Sequence, residues 1–405
     1  MLWDSLSRNL GDQAIGPCLL RLARRAGFER LAPVPIGAPI AESFDLLVIG
    51  GGELLHPPGH PYYDLFRVPG PHILNTVGTG GSLDAAYLSS YRLVSVRSEA
   101  DRQNLEGLDH EVRVAPCLTV LFDRVAEAGE PIELPAAAVG VHLHSSSFRL
   151  GESAQVLEVL RQLGDRTVLV PFTHYNRDHE IQAVIAQQLG LPAPLPIGTP
   201  DQAFDVIRRL GALVTTSLHA TIMAYIAGVP FLAIDYASKV ARFLRERELS
   251  HRLVASFAEV GSRLDLLRSS SVEWQDRLAS DRRRAGDLLD AILAELEDAS
   301  SRRPRRPRSF TRWREPAYAR QSHALMMRTH ELYGLRIAER LAHGYDRQRF
   351  EGQAGALQAH LRQVEQELEK AGDYARSLER RLEQPVEVPP VEVPPVEDRT
   401  GDESP

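Results

Sequence analysis

The stretch from Leu213 to Lys239 constrains this chain more than any other. It opens with a short apolar run and breaks at Thr215-Thr216-Ser217. It continues as a small-residue helix from about His219, which Gly228 closes, and resumes after Pro230 with the apolar run Phe231–Ile234. Strand, tight turn, helix and strand in such quick succession make a βαβ unit of a buried parallel sheet. Ligands of such sheets sit off the carboxyl ends of the strands. One such end carries Ser217 and His219 and the next carries Asp235, Tyr236 and Lys239, so both sets are expected on one crevice.

The residue types suit an anionic ligand. A helix N-terminus offers unpaired N–H groups and the positive end of its dipole. Ser217 is placed to cap the helix, which leaves His219 in its first turn. Histidine titrates near neutral pH and can give or take a proton there. Lys239 adds a movable cation for phosphate or carboxylate. The alternative is that His219 bonds a backbone carbonyl and Lys239 is a solvated helix charge.

At 405 residues the chain has room for two core-bearing domains and extensions. Its 43% hydrophobic and 25% charged residues are ordinary for globular protein, and a net charge of −7 argues against general nucleic-acid binding. Two cysteines, Cys18 and Cys117, stand far apart without metal-ligand spacing, which excludes a disulfide framework and favours a reducing compartment. With no apolar run of membrane-spanning length and no signal peptide, a cytoplasmic protein is expected.

Two alternating series flank a linker. In the first, Asn9-Leu10-Gly11-Asp12 is turn chemistry before a helix with apolar residues at Ile15, Leu19, Leu22 and Ala26, and Asp12 is placed to cap it. The strand that should precede this turn is almost absent: it is very short, or the native chain began further upstream. Strand Phe44–Ile49 runs into Gly50-Gly51-Gly52-Glu53, where glycines can bring the backbone close to a ligand and turn N–H groups towards an anion. The spacing is not that of a dinucleotide site, and a plain tight connection is the alternative. Further strands are expected at His72–Val77, Leu93–Val96 and Val112–Ala115, with a helix around Glu99–Leu108; Arg97 stands at a strand's carboxyl end. After a Glu-, Ala- and Pro-rich linker at 125–137 comes the second series. It comprises strand Ala138–Leu143, a helix over Ser153–Leu163, strand Thr167–Pro171, and helices over Asp178–Leu189 and Thr199–Leu210. His142, His144 and His174 lack a carboxylate at ligand spacing, so no metal site is assigned. The fold class expected is α/β, with two Rossmann-like domains, 1–130 and 131–300, facing across a cleft.

Beyond Leu253 the texture changes. Residues 255–298 read as amphipathic helices closing the second domain, and 301–349 as a basic linker and helical arm. The run Arg302-Arg-Pro-Arg-Arg-Pro-Arg308 is expected to be a solvated spacer, with peripheral contact to anionic lipid or to another subunit as the alternative. From Phe350 to Leu382 apolar residues recur at alternating intervals of four and three, so 350–384 is expected to be a coiled coil that self-associates or docks on another coil. The Pro/Val/Glu repeat of 385–405 reads as a disordered tail.

Taken together, the motifs resemble the polysaccharide pyruvyl transferase family over roughly residues 5–255. The resemblance rests on Asn9-Leu-Gly-Asp12, Asp45-Leu-Leu-Val-Ile-Gly-Gly-Gly-Glu-Leu54 and Val94-Ser-Val-Arg97. It continues in Thr215-Thr-Ser-Leu-His-Ala-Thr-Ile-Met-Ala224, Gly228-Val-Pro230 and Tyr236-Ala-Ser-Lys239-Val240. It implies a glycosyltransferase-B-like fold and transfer of a pyruvyl unit from phosphoenolpyruvate to the hydroxyls of a saccharide acceptor, as a ketal, with no metal or cofactor. By match to the family's motif, His219 is the acid or donor-binding residue. Lys239, Arg97 and the N–H groups near Ser217 are anion clamps, while Asp12 and Gly50, Gly51 and Gly52 line the opposite wall. The chain departs from the family where many members have Arg-Leu-His in place of Ser217-Leu-His219, aspartate in place of Ser98, and a Pro-Asp pair where Pro116-Cys117 stands. These departures bear on donor identity and catalytic competence. Two alternatives follow: a sugar-nucleotide glycosyltransferase of the same architecture, and a catalytically weak member that organises an assembly through its coiled coil.

Overall fold

A computed structural model describes residues 1–5, 7–34, 44, 46–58, 60, 62–63, 65–148, 153–235, 238–268, 271–301 and 317–342. The expected spacer 302–308, coiled coil 350–384 and tail 385–405 lie outside the described residues, as do Asp45 and Tyr236. All described residues fall in one compact unit, Met1–Ala356.

That unit holds two parallel sheets. Helix α1 (Leu10–Arg25) precedes the first, which contains β1 (Val48–Gly50), β2 (Glu53–Leu55), β3 (Ile73–Thr79), β4 (Leu93–Val96) and β5 (Val112–Val114). Its order is β1-β3-β4-β5, with β2 also paired to β3. The short first strand expected before α1 is reduced to bridges from Leu2 to Val34 and Ile49. The second sheet is built from β6 (Val139–Val141), β7 (Thr167–Leu169), β8 (Ala212–Thr215), β9 (Phe231–Ile234) and β10 (Leu253–Val254), in the order β10-β9-β8-β6-β7. Every residue of β3, β6, β7, β8 and β9 is buried, which is why β6 and β9 read as apolar runs rather than alternating ones, while the buried Asn75, Thr76 and Thr79 interrupt β3. The connecting helices α2 (Ser153–Leu163), α3 (Asp178–Leu189), α4 (Pro200–Arg209), α5 (Leu218–Ala227) and α6 (Lys239–Arg245) complete an α/β arrangement of Rossmann-like character.

Two local expectations change. Asp12 does not cap α1; Asn9 does, its side chain accepting from the Gly11 N–H at 3.0 Å, so the helix starts at Leu10, three residues earlier than a cap at Asp12 would place it. The helix expected over Glu99–Leu108 stops at Gln103, and Leu105–Glu106 pairs instead with Leu83–Asp84 as a small ladder.

The halves share one core. Leu19, Phe122, Phe204, Met223 and Ile292 belong to a single buried cluster drawn from both sides, and Phe122 meets Phe204 edge to face at 5.7 Å. Arg21 grips Asp201 through two hydrogen bonds of 2.7 and 2.9 Å. Below the cleft, Leu10 N–H donates to the Phe172 carbonyl and His174 N–H to that of Arg8, so the entry to α1 is stitched to the other half. Helix α7 (Gln275–Ser301) returns to the first half, where Arg92 binds Glu295 at 3.1 Å and Asp298 at 2.8 Å. Helix α8 (Ala317–Ala342) lies on the second half, against α3 and the turn 174–176. Its residues Ile337, Ala338 and Leu341 are buried there.

Candidate active site

The carboxyl ends of the two sheets face a cleft with two adjoining lobes, both open to solvent, which with that open space span about 540 and 950 Å³. Gly52, Arg97, Leu218, His219 and Lys239 line both and form the neck between them. Of the residues singled out in the sequence, Ser217 and Asp12 also border the larger lobe. Asp235 has a buried side-chain oxygen and lines neither lobe.

Helix α5 aims its N-terminus at the neck. Ser217 caps it, its hydroxyl accepting from the Ala220 N–H at 3.3 Å, and Gly228 ends it in the left-handed conformation at φ 71°. The N–H groups of Leu218 and His219 have no acceptor within the helix by geometry, and both residues line the cavity. The N-terminus of α1 comes within contact of it. A Cβ on Gly11 would lie 2.2 Å from the Cβ of His219, so glycine in Asn9-Leu-Gly-Asp12 is a packing requirement. Here the chemistry of the amides differs from α5: Leu10 N–H is taken by Phe172 and Gly11 N–H by Asn9.

The glycine loop serves a different purpose from the one expected. Gly50, Gly51 and Gly52 all have positive φ, 157°, 80° and 76°. The Gly50 N–H donates to the Leu2 carbonyl and the Gly51 N–H to that of Asn75, so neither faces a ligand. Side chains on these two would strike Asn75 and Ile15. Gly52 alone of the three reaches the cavity. The loop turns the chain sharply so that Glu53 enters the cleft.

Charge in the neck is tightly arranged. Arg97 binds Glu53 at 3.0 Å and Asp101 at 3.3 Å. Burial works against its charge, but Asp101 and Glu53 outweigh it and hold the guanidinium cationic. Asp101 is fully buried and also receives Arg242 of α6 at 3.0 Å, so one carboxylate ties together arginines from both halves. Ser98 caps the short helix after β4 and donates to Asp101 at 2.6 Å, which gives a structural use to the serine that departs from the family pattern after Arg97. Cys117 lines the smaller lobe beside Pro116. Sequence reasoning missed Asp101, Arg242 and Glu53 as partners, although Asp101 stands four residues after Arg97 and Glu53 directly follows the glycines.

His219 Nδ1 lies 3.7 Å from Asp12 Oδ1. Desolvation, helped by the charges of Lys239 and Arg97, pushes the His219 pKa down to about 3. Desolvation and the neighbouring Asp4 push Asp12 up to about 7, against the pull of Lys239 and Arg97. Empty, the pair therefore holds a neutral imidazole beside a carboxyl that is partly protonated at neutral pH. His142, His144 and His174 have other duties. His142 sits 3.4 Å from the buried Asp178 and within 3.3 Å of the Thr215 and Thr216 hydroxyls, behind the turn that leads to Ser217. Among the described residues no group of three or more His, Cys, Asp or Glu is gathered to hold a metal.

Two parallel-sheet halves closing on one cleft with cations, a helix N-terminus and a titratable pair define an α/β protein with a charged cleft suited to an anionic ligand. A sequence profile of the polysaccharide pyruvyl transferase family matches residues 9–238, more than half of the 405, and the chain belongs to that family. No curated protein matches it in sequence. Among solved structures it is similar to one titled OtsA apo structure, at 14% identity over 72% of this chain and 78% of that one, TM-score 0.38. A second is an alpha,alpha-trehalose-phosphate synthase (UDP-forming) from Burkholderia vietnamiensis, at 12% identity over 71% and 76%, TM-score 0.33. Likeness at that level decides nothing about chemistry. Among the described residues no helix is long and apolar enough to cross a membrane.

Proposed function

We propose that the cleft transfers the pyruvyl unit of phosphoenolpyruvate to saccharide hydroxyls, forming a ketal on a cell-surface polysaccharide or its precursor. The observation that carries this is the neck. The capped N-terminus of α5, Arg97 and Lys239 line the same neck, and the His219–Asp12 pair stands in it. A small anion carrying both carboxylate and phosphate finds hydrogen-bond donors and cations for each there. Protonation of its methylene carbon makes an oxocarbenium-like centre at the adjacent carbon. A sugar hydroxyl attacks there and loses its proton, phosphate departs with the C–O electron pair, and a second hydroxyl closes the ketal. His219 supplies the proton to carbon. Donor charge entering the neck raises the histidine's depressed pKa, and Asp12 holds a proton within reach to pass on. Glu53, kept ionised by Lys239 and Arg97 against its burial, accepts hydrogen bonds from the attacking hydroxyls.

Calorimetric titration of phosphoenolpyruvate into wild type and His219→Ala tests the donor site. Saturable binding, weakened in the variant, together with acceptor-dependent phosphate release, is expected. Consumption of sugar nucleotides without phosphoenolpyruvate binding would move the assignment to glycosyl transfer. Neither activity, with co-purifying assembly proteins, would leave a scaffold.

A further inference from the structure

The larger lobe is built from rings. On one side His56 stacks on His60 with centroids 3.6 Å apart, and Tyr62 meets both edge-on at 5.6 and 5.5 Å. His323 of α8 stacks on Tyr62 at 5.3 Å. On the other side Tyr175 meets His330 of α8 edge-to-face at 5.6 Å. Burial lowers the pKa of His56, His60 and His330, so these rings are uncharged at neutral pH. Between the rings stand hydrogen-bonding groups: Asp4, Ser7, Asn9 and Thr173. Beyond the shared Arg97 and Lys239, no Lys or Arg among the described residues lines this lobe, so a second phosphate-rich ligand finds no counter-charge here.

Neutral rings flanking a band of carboxylate, amide and hydroxyl groups match a pyranose. Its C–H faces rest on aromatic rings, and its hydroxyl edge exchanges hydrogen bonds with acids and amides. The remaining wall is α8, which presents Met326, Met327 and His330 to the lobe. The helix is held there by its own sequence. A Cβ on Gly334 would lie 1.9 Å from the Asn176 carbonyl, so glycine permits the close docking despite its helix cost. Glu331 pairs with Arg177, and Ile337 and Leu341 are buried one and two turns on.

We propose that α8, which lies beyond the family-matched segment, walls the larger lobe and is the element that selects which saccharide acceptor enters it. The assignment of saccharide as acceptor rests on the pyruvyl-transfer reading; the lobe's chemistry stands without it. The neck then presents the donor carbon to a sugar hydroxyl through the opening between the lobes.

The test uses the full chain with methyl glycosides of galactose, mannose and N-acetylmannosamine as probes. Saturation-transfer NMR, with and without saturating phosphoenolpyruvate, reads glycoside binding, and calorimetry reads the donor. His330→Ala and Met326→Ala, which shorten side chains that α8 presents to the lobe, and Tyr175→Ala are compared with wild type after melting curves establish folding. Binding of at least one glycoside, weakened about tenfold by His330→Ala or Tyr175→Ala with donor affinity unchanged, is the expected result. Glycoside binding that survives all three substitutions, or no glycoside binding in the presence of bound donor, overturns the proposal. Arm-dependent glycoside binding without any donor binding keeps the subsite and removes the pyruvyl-transfer reading instead.

Discussion

The two lobes of the cleft are made by different means. The smaller lobe and the neck draw on residues fixed to the ends of strands and the first turns of helices: Arg97 after β4, His219 in α5, Lys239 at the start of α6. Their positions follow from the sheets, and their carboxylate partners run from the fully buried Asp101 to the partly exposed Asp12 and Glu53. The larger lobe instead takes its rings from the loop around His56–Tyr62, from the turn at Tyr175 and from α8. On the proposed reading, the contrast separates chemistry held by strand ends and helix starts from recognition carried on loops and a C-terminal helix.

Substitutions in the neck should therefore have the larger effects. His219→Gln removes the group proposed to protonate carbon while keeping its size and one hydrogen-bonding end. Acceptor-dependent phosphate release should fall by about 10²–10⁴-fold, with little change in melting temperature. Turnover within a few-fold of wild type would take His219 out of the chemistry and leave it a packing residue against Gly11.

Arg97→Met breaks the network at its most expensive point, because Asp101 is fully buried and loses one of its two arginines. Removing one partner of a buried ion pair costs roughly 3 kcal/mol or more. A fall in denaturant midpoint of that order, together with loss of phosphoenolpyruvate binding, is expected. Lost binding at unchanged stability would mean that Arg242 alone satisfies Asp101 and that Arg97 serves the ligand only.

A smaller and more local perturbation is Gly11→Ala. The new methyl group would stand 2.2 Å from the His219 side chain, so α1 or the imidazole must shift at a cost of about 1–3 kcal/mol. Activity should drop while the lobe of rings keeps its glycoside affinity. Gly286→Ala in α7 is the control: nothing lies within 4 Å of its Cβ position, and the gain in helix propensity should stabilise by about 0.5–1 kcal/mol. Equal behaviour of the two substitutions would show that the contact at Gly11 is relieved freely.

These differences also explain what could be read from sequence. Strands β4 and β9 and helices α2 and α3 stand where the apolar runs put them, because buried parallel strands and amphipathic helices write their environment into consecutive residues. The same logic brings Ser217, His219, Lys239, Arg97, Asp12 and Gly52 to one cleft. Tertiary bookkeeping was illegible. Nothing local says that the amides of Gly50 and Gly51 are consumed by Leu2 and Asn75, or that Asn9 rather than Asp12 caps α1. The docking of α8 depends on a glycine meeting a carbonyl about 160 residues away in sequence, a contact that leaves no periodic trace.

The subtlest prediction concerns Asp12. Its pKa is raised from 3.8 to about 7 in the folded chain, chiefly by desolvation. The folded state thus holds a proton that the unfolded chain has released between those values, and stability falls as pH rises through that window. His219 acts in the opposite sense at lower pH: its pKa, lowered from 6.5 to about 3, makes the folded state lose stability as pH falls below about 6.5. Asp12→Asn mimics the protonated carboxyl. It should match wild type near pH 4 and exceed it by about 1–2 kcal/mol at pH 8, less than the full linkage value because the side chain keeps 20% of its exposure. Denaturant melts at the two pH values in a His219→Gln background isolate the carboxyl. An Asp12→Asn variant less stable than its parent at pH 8 would show that Asp12 is ionised and paired with Lys239 and Arg97. The proton for carbon would then have to arrive with the donor rather than wait in the neck.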